Sequence, residues 1–470
     1  MATITPLKHL DESLIRNTNA LMYTEYPHKR FWSPTFGAGD FKTALKNLLV
    51  SEPDAPFLLY VHIPFCEQLC WFCTCHMLIT TDYERVRHYL SVLYREIELL
   101  KEFFEQQGVT PNIQEIHLGG GSPTFVKEED FSRLIKKLGL IADVQQLQEF
   151  SIEIDPRRVD ANRMRYYHRL GINRISFGVQ DFDLDVQQAI NRVQPAELTE
   201  NLLTPEIRNL FKNGVNFDII CGLPHQTTKS IRATIKKVVE LSPDRICLNY
   251  LHYDPTRTKH QTLMTDGKHG RPAELPDLYE RKVLFVEALE VLKASGYVRT
   301  GYDHFAKPSD SVVQAMEHGE MGWNALGVTP GRYTNVLGIG IYSISTIGRC
   351  YAQNFYDVLD WEKTVNRGDL PIYRGHILNR DDIIRRDVIQ TLRNYLSVRY
   401  KSIEQRHGIN FKKYFALELA RLDLFVKDDL VELRADAILI TESGYQFTNV
   451  ICHVFDIYSF AGRQTSDPKL

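Results

Sequence analysis

A chain of 470 residues with 43% hydrophobic content can bury one large core plus a smaller one, which predicts two domains and an N-terminal arm. The formal net charge of −3 excludes a general nucleic-acid binder, which carries a clear basic excess to track phosphates. No segment reaches the uncharged apolar length of a membrane helix, so no membrane partner is expected. Eight cysteines in this length are ordinary usage, and the stretch from Met1 to Leu21 interrupts its apolar residues with Lys8, Asp11, Glu12 and Arg16. A secretory signal and a disulfide framework are therefore not expected, and a cytosolic enzyme is.

In chain order, short runs rich in Ile, Val, Phe and Leu predict strands over Leu58–Ile63, Glu115–Leu118, Phe150–Ile154, Arg174–Val179, Asn216–Cys221 and Arg245–Tyr250. Between them, apolar residues at helical spacing predict helices over Tyr83–Phe104, Glu128–Ile141 and Lys229–Glu240. That alternation predicts βα units around a parallel sheet, with ligands gathered at the carboxyl ends of its strands. The fold class expected is α/β. The domains expected are an arm over 1–54, a β/α domain over 55–370 and a mainly helical domain over 371–470. In the last, Ile383, Ile384, Val388, Ile389, Leu392, Tyr395 and Leu396 form one apolar face, and an aromatic-rich helix is expected around Phe455 and Tyr458. As a lid, such a domain would exclude water from a reactive intermediate.

Polar residues break the apolar pattern at the predicted strand ends. The first strand runs into CEQLCWFCTC at 66–75, where Cys66, Cys70 and Cys73 stand in C-x3-C-x2-C spacing. Three thiolates so placed can hold three irons of a [4Fe–4S] cluster and leave the fourth open. Structural zinc is the competing reading, with Cys75 and His76 as further ligands, but Cys221, Cys247, Cys350 and Cys452 form no second pair. The second strand ends in Gly119-Gly120-Gly121-Ser122-Pro123-Thr124, which lets a ligand approach the backbone. Later strands bring Glu153 and Asp155, then Gln180 and Asp181, then Asp218 before Gly222-Leu223-Pro224.

These residues sit in YVHIPFC at 60–66, GGGSPT at 119–124, SIEIDPR at 151–157, ISFGVQDF at 175–182, GLPHQT at 222–227, DHFAKP at 303–308, LGIGIYSIS at 337–345, CYAQN at 350–354 and RDDIIRRDVI at 380–389. In that order and extent the chain resembles the radical S-adenosylmethionine superfamily, and within it the oxygen-independent coproporphyrinogen III dehydrogenases. The resemblance implies a partial (β/α) barrel of the radical SAM type. It implies a cluster on Cys66, Cys70 and Cys73, with S-adenosylmethionine chelating the open iron and yielding a 5′-deoxyadenosyl radical on reduction. Tyr60, Gly120, Glu153 and Ile344 would line this first cofactor. Phe72, Gly121, Ser122, Gln180, Arg192, Asp218 and Leu251 would line a second S-adenosylmethionine. Cys75 is either a family cysteine outside the cluster or a buried small hydrophobe.

The implied reaction is oxidative decarboxylation of two propionates of coproporphyrinogen III to vinyls, giving protoporphyrinogen IX in haem biosynthesis. The implied partners are the porphyrinogen, a reduced flavodoxin- or ferredoxin-type electron donor, and no second subunit. Arg299, Lys307, Arg349, Arg385 and Arg386 are candidate cations for the substrate carboxylates. The sequence departs from the family pattern in Met22-Tyr23-Thr24-Glu25-Tyr26-Pro27, at Cys221, at Leu251 and at Val328 within Gly327-Val328-Thr329-Pro330-Gly331-Arg332. A radical methyltransferase, a haem-cleaving enzyme and a haem chaperone of the same superfamily are the alternatives.

Overall fold

A computed structural model describes residues 23–267, 274–324, 327–331 and 335–458. Met22 and Arg332, at the edges of two of the divergent segments, lie outside the described residues. The chain clusters into two compact units, each drawn from separate segments. The larger comprises 33–276 and 333–377; the smaller comprises 1–32, 277–332 and 378–470. These boundaries cut across the expected continuous domains. Residues 33–54 join the β/α unit because the helix Ala38–Ser51 packs its Phe41, Leu45, Leu48 and Leu49 face there, and Ile372–Ile377 is a strand of that unit's sheet.

In the larger unit, α1 (Ala38–Ser51), β1 (Pro56–Ile63), α2 (Tyr83–Gln107), β2 (Asn112–Gly120), α3 (Glu128–Leu138), β3 (Glu149–Ile154), α4 (Ala161–Arg169), β4 (Arg174–Gln180), β5 (Val215–Cys221), α5 (Thr228–Leu241) and β6 (Arg245–Tyr250) follow in sequence. Strands β7 (Asn335–Ile339), β8 (Ile344–Ile347) and β9 (Cys350–Asn354), helix α6 (Val358–Asn366) and β10 (Ile372–Ile377) complete it. The hydrogen-bonded strand order is β10-β9-β8-β7-β1-β2-β3-β4-β5-β6. From β7 to β6 every pair is parallel, whereas β7 through β10 pair antiparallel. All six expected strands and three expected helices are present, with ends shifted by up to three residues.

Local chemistry fixes the helix ends. Asp82 accepts from the Glu84 amide to open α2, and Gly108 closes it at φ 67°. Thr227 and Ser230 form a reciprocal cap on α5. On α2 the buried positions Val86, Leu90, Leu93, Ile97 and Leu100 form one stripe, each side chain contributing about 1.5–3 kcal/mol by leaving water.

Alternation along the central strands separates two chemistries. Phe150, Ile152 and Ile154 of β3, Ile175, Phe177 and Val179 of β4, and Phe217 and Ile219 of β5 are fully buried. The alternate positions are polar: Glu149, Ser151 and Glu153; Arg174, Ser176 and Gln180; Asn216 and Asp218. Polar contacts run between adjacent strands on that second face, with His117 Nδ1 2.7 Å from Ser151 Oγ and Asn216 Nδ2 donating to Ser176 Oγ at 2.8 Å. The sheet therefore has one apolar and one hydrogen-bonded polar face.

The smaller unit has its own core around Ile384, Val388, Ile389, Leu392, Phe411, Phe415, Phe425, Ile438 and Phe455. It is mainly helical but also holds a three-stranded antiparallel sheet of Ser397–Arg399, Ala437–Ile440 and Val431–Leu433. Where one helix is expected around Phe455 and Tyr458, a helix ends at His453, Phe455 follows it and packs against Phe415, and helical backbone resumes at Ile457 and Tyr458. Tyr23 and Tyr26 of the divergent N-terminal segment are buried in this core, and Tyr23 donates to Asp456 at 3.1 Å.

Candidate active site

Loop geometry brings the three cysteines together. Phe65–Cys66 pairs with Leu78–Ile79, so the eleven-residue excursion between Cys66 and Leu78 closes on itself. The Leu78 amide donates to Pro64 O at 2.7 Å and the Thr80 amide to Cys66 O at 3.0 Å. The loop is tied down from outside: Asn191 Nδ2 donates to Leu69 O at 2.8 Å, and Gln261 Nε2 to Phe72 O at 3.0 Å. All eight cysteines are free thiols.

The glycine triplet packs against this loop. A Cβ at Gly121 would stand 2.6 Å from Pro64 O, and one at Gly120, whose φ is 118°, would stand 2.7 Å from the His62 ring. The Gly121 and Ser122 amides donate to Ile63 O and Phe65 O, both at 2.8 Å, which clips the end of β2 to the start of the cysteine loop.

Cys66, Cys70 and Cys73 line one cavity of about 220 Å³ together with Phe72, Gly120, Gly121, Ser122, Glu153, Gln180, Arg192 and Asp218. Glu153 Oε2 accepts from the Gly120 amide at 3.1 Å, and Oε1 lies 3.3 Å from His117 Nε2. Its side chain keeps 39% exposure, which leaves oxygen lone pairs open to a ligand. Asp218 is oriented by Ser176 Oγ at 3.2 Å and Asn216 Nδ2 at 2.9 Å. Gln180 takes a left-handed backbone, φ 66°, at the strand end.

Three of the expected cofactor residues are absent from that wall. Tyr60 directs its hydroxyl onto His62 Nδ1 at 2.9 Å and stacks on His117 at 6.0 Å. It thus sits behind Glu153, within electrostatic reach of Cys75. Ile344 lies on β8 opposite Gln353. Leu251 is buried with Ile220, Leu223 and Met264 in an apolar cluster that Phe72 covers. Its bulk therefore supports Phe72 from below instead of crowding the cavity. Asp181, expected at the ligand end of β4, is fully buried and held by Gln226 at 2.6 Å and Thr234 at 2.5 Å. It is a structural acid that fastens the β5–α5 turn. Arg192 is largely enclosed, its side chain 11% exposed. Its Nη2 donates to Gly178 O at 2.8 Å and its Nη1 to Cys70 Sγ at 3.5 Å, while Nε has no partner. A bidentate carboxylate clamp through both terminal nitrogens is thereby spent, and Nε remains for a ligand.

The thiols differ in their electrostatics. Burial, followed by the neighbouring Cys73 and Cys70, pushes the Cys66 thiol up to about 12. Cys73 is held below the usual thiol value chiefly because Cys75 hydrogen-bonds to it. Cys75 is exposed, so its reading as a buried small hydrophobe is replaced by that of a neighbour of Cys73. Burial lowers His62 to about 4, leaving a neutral imidazole that bridges Tyr60 and His76 O.

The donor set tests the two metal readings. A zinc ion bonded at about 2.3 Å draws its sulfurs to roughly 4 Å from one another. Cys66, Cys70 and Cys73 do not form a group within 4.8 Å; nor, among the described residues, do Cys75 and His76 complete one with them. Wider spacing on one cavity wall fits a cluster with several metal atoms. Among the candidate substrate cations, Arg385 is paired with Glu418 and Asp381 at 2.8 Å each. Arg299 donates to Gly301 O at 3.0 Å and to Tyr302 O, and Arg349 lines a separate cavity beside Asp40 and Ile377. Lys307 and Arg386 are partly exposed. Sequence reasoning passed over His117 and Arg157, which touch Glu153 and Asp155. The signal was present: His117 continues the polar alternation of β2, and Arg157 follows the strand end within DPR.

Residues 60–238 match the model of the radical SAM superfamily. Over 455 residues the chain is 36% identical to an oxygen-independent coproporphyrinogen III oxidase of Pseudomonas aeruginosa, covering 95% of this chain and 96% of that one. Against the protein of that name from Escherichia coli it is 36% identical over 443 residues, covering 94% and 93%. The solved structure of coproporphyrinogen III oxidase from Escherichia coli, described as a radical SAM enzyme, superposes with a TM-score of 0.84 at 35% identity and covers 97% of this chain and all of that one.

Proposed function

Because the chain belongs to the oxygen-independent coproporphyrinogen III oxidase family, we propose that it oxidatively decarboxylates two propionates of coproporphyrinogen III to vinyls, giving protoporphyrinogen IX. The observation that carries the reading is the shared cavity wall of Cys66, Cys70 and Cys73 with Glu153 and the Gly120–Ser122 backbone. In this reading the three thiolates hold a [4Fe–4S] cluster. That cluster, with S-adenosylmethionine bound to it, would supply the radical chemistry that oxidises the propionate side chains.

The remaining work falls to the protein. Glu153, oriented by the Gly120 amide and His117, accepts hydrogen bonds from the cofactor's ammonium or hydroxyl groups. Asp218, oriented by Ser176 and Asn216, is suited to ribose hydroxyls of a second S-adenosylmethionine, with Arg192 Nε a donor without a protein partner at that end. Tyr60 and neutral His62 act behind Glu153 by fixing His117 and Gly120. A reduced flavodoxin- or ferredoxin-type donor, a monomeric state and a cytoplasmic setting complete the proposal; among the described residues no helix is long and apolar enough to cross a membrane.

Anaerobic incubation of the reconstituted protein with coproporphyrinogen III, dithionite and S-adenosylmethionine tests the reading. Formation of protoporphyrinogen IX with carbon dioxide and 5′-deoxyadenosine is the expected result. A methylated product, or haem retention without turnover, would replace it with one of the alternatives.

A further inference from the structure

The three cysteine sulfurs are not equivalent, and the difference lies in Asp155 and two arginines. Asp155, one residue past β3, accepts from Nε and Nη2 of Arg157 at 2.9 and 2.8 Å. It also lies 4.0 Å from Nη2 of Arg192. Arg192 Nη1 reaches Cys70 Sγ at 3.5 Å, and the Arg157 guanidinium lines the same cavity wall, close enough for its charge to act on that sulfur. The side chains of Asp155, Arg157 and Arg192 are only 10%, 16% and 11% exposed, so their charges act with little solvent screening. Cys73 instead has the neutral Cys75 thiol as its neighbour.

We propose that Asp155 holds Arg157 and Arg192 as paired cationic groups beside the Cys70 sulfur, Arg192 as its donor and Arg157 as a fixed charge, and that Arg157 thereby raises the reduction potential of the cluster. The inference rests on the assignment of Cys66, Cys70 and Cys73 as cluster ligands. Adding an electron increases the negative charge on a cluster and its sulfurs, so cationic hydrogen-bond donors there favour the reduced form. Neither guanidinium is free to swing away: Arg157 is locked by its two-point contact with Asp155, and Arg192 by Gly178 O. Arg157 is accordingly a positioning and tuning residue.

The test compares wild type, Arg157→Gln and Arg157→Lys, reconstituted anaerobically. Iron and sulfide content, the EPR-monitored midpoint potential in a mediated dithionite titration, and S-adenosylmethionine affinity are measured separately. Both variants are expected to take up a full cluster. The midpoint of Arg157→Gln is expected to move to more negative potential, with Arg157→Lys between it and wild type. An unchanged midpoint in cluster-loaded variants would overturn the proposal. Weaker S-adenosylmethionine binding at constant midpoint would overturn it too, by making Arg157 a cofactor-binding residue. Loss of the cluster from both variants would make its role structural. A wild-type protein that takes up no cluster removes the assignment itself, and the proposal with it.

Discussion

The polar face of the parallel sheet carries charged residues at both ends, and the two ends treat them differently. At the amino end, Glu149 pairs with Arg174 at 2.9 Å, and Glu115, paired with Glu149 across strands β2 and β3, is 5% exposed. Burial and then the charge of Glu149 push Glu115 up to about 8, whereas Arg174 and Arg245 hold Glu149 below the usual carboxylate range against its own burial. The charges there close on one another. At the carboxyl end, Glu153 and Asp218 are oriented by neutral donors and face a cavity, and Arg192 spends its terminal nitrogens on a carbonyl and a sulfur. The same ladder of strands therefore stores stability at one end and leaves binding capacity at the other, as open ends of β/α sheets do.

Substitutions at the two ends should separate these roles. The largest effect is expected from replacing Cys66, Cys70 or Cys73 by alanine: iron and sulfide content falls to background and product formation stops, with the thermal transition of the metal-free protein nearly unchanged. A large shift in that transition would mean that the cysteines belong to the fold. Gly121→Ala sets a Cβ against Pro64 O and forces the cysteine loop from β2. Calorimetry should register a loss of roughly 1–3 kcal/mol, accompanied by poor cluster uptake. Glu153→Gln keeps an amide of the same shape but removes the charge; equilibrium binding of S-adenosylmethionine should weaken by about 1.5–3 kcal/mol, roughly 10- to 100-fold in Kd, with little change in melting.

The smallest effect on the site is expected from the amino end. Because the folded value of Glu115 lies above its ordinary 4.5, ionisation there opposes folding: the penalty is absent below pH 4.5 and grows until pH passes about 8. Glu115→Gln should melt like wild type near pH 4 and gain stability over it progressively as pH rises from 4.5 to about 8, without altering cofactor affinity. A variant that lost cofactor affinity would break the division between the two ends.

Much of this was legible without coordinates. The C-x3-C-x2-C run, the glycine triplet after a strand and the polar-apolar alternation of β3, β4 and β5 are local patterns, fixed by side-chain period and by turn chemistry. They sufficed to place Glu153 and Asp218 on one face beside the cysteines. Three assignments depended on partners distant in the chain. Asp181 reads like Glu153, a carboxylate at a strand end, yet it points to Gln226 and Thr234 because the opposite strand face carries it into the core. Leu251 reads as lining for a second cofactor, yet it packs under Phe72 with residues from β5 and the turn after it. Arg192 reads as a cofactor contact, yet Gly178 and Cys70 already hold both of its terminal nitrogens.

Domain limits show the same division. The strand Ile372–Ile377 and the helix Ala38–Ser51 belong to the β/α unit through pairing and packing, which no composition shift announces. What the sequence by itself determined was the chemistry available, three thiolates, a backbone open to a ligand and a row of inward polar groups, because residue type and spacing are local. Only the tertiary structure decided which of those groups remained uncommitted, because a hydrogen bond to a residue dozens of positions away consumes a donor or acceptor that the local sequence leaves free.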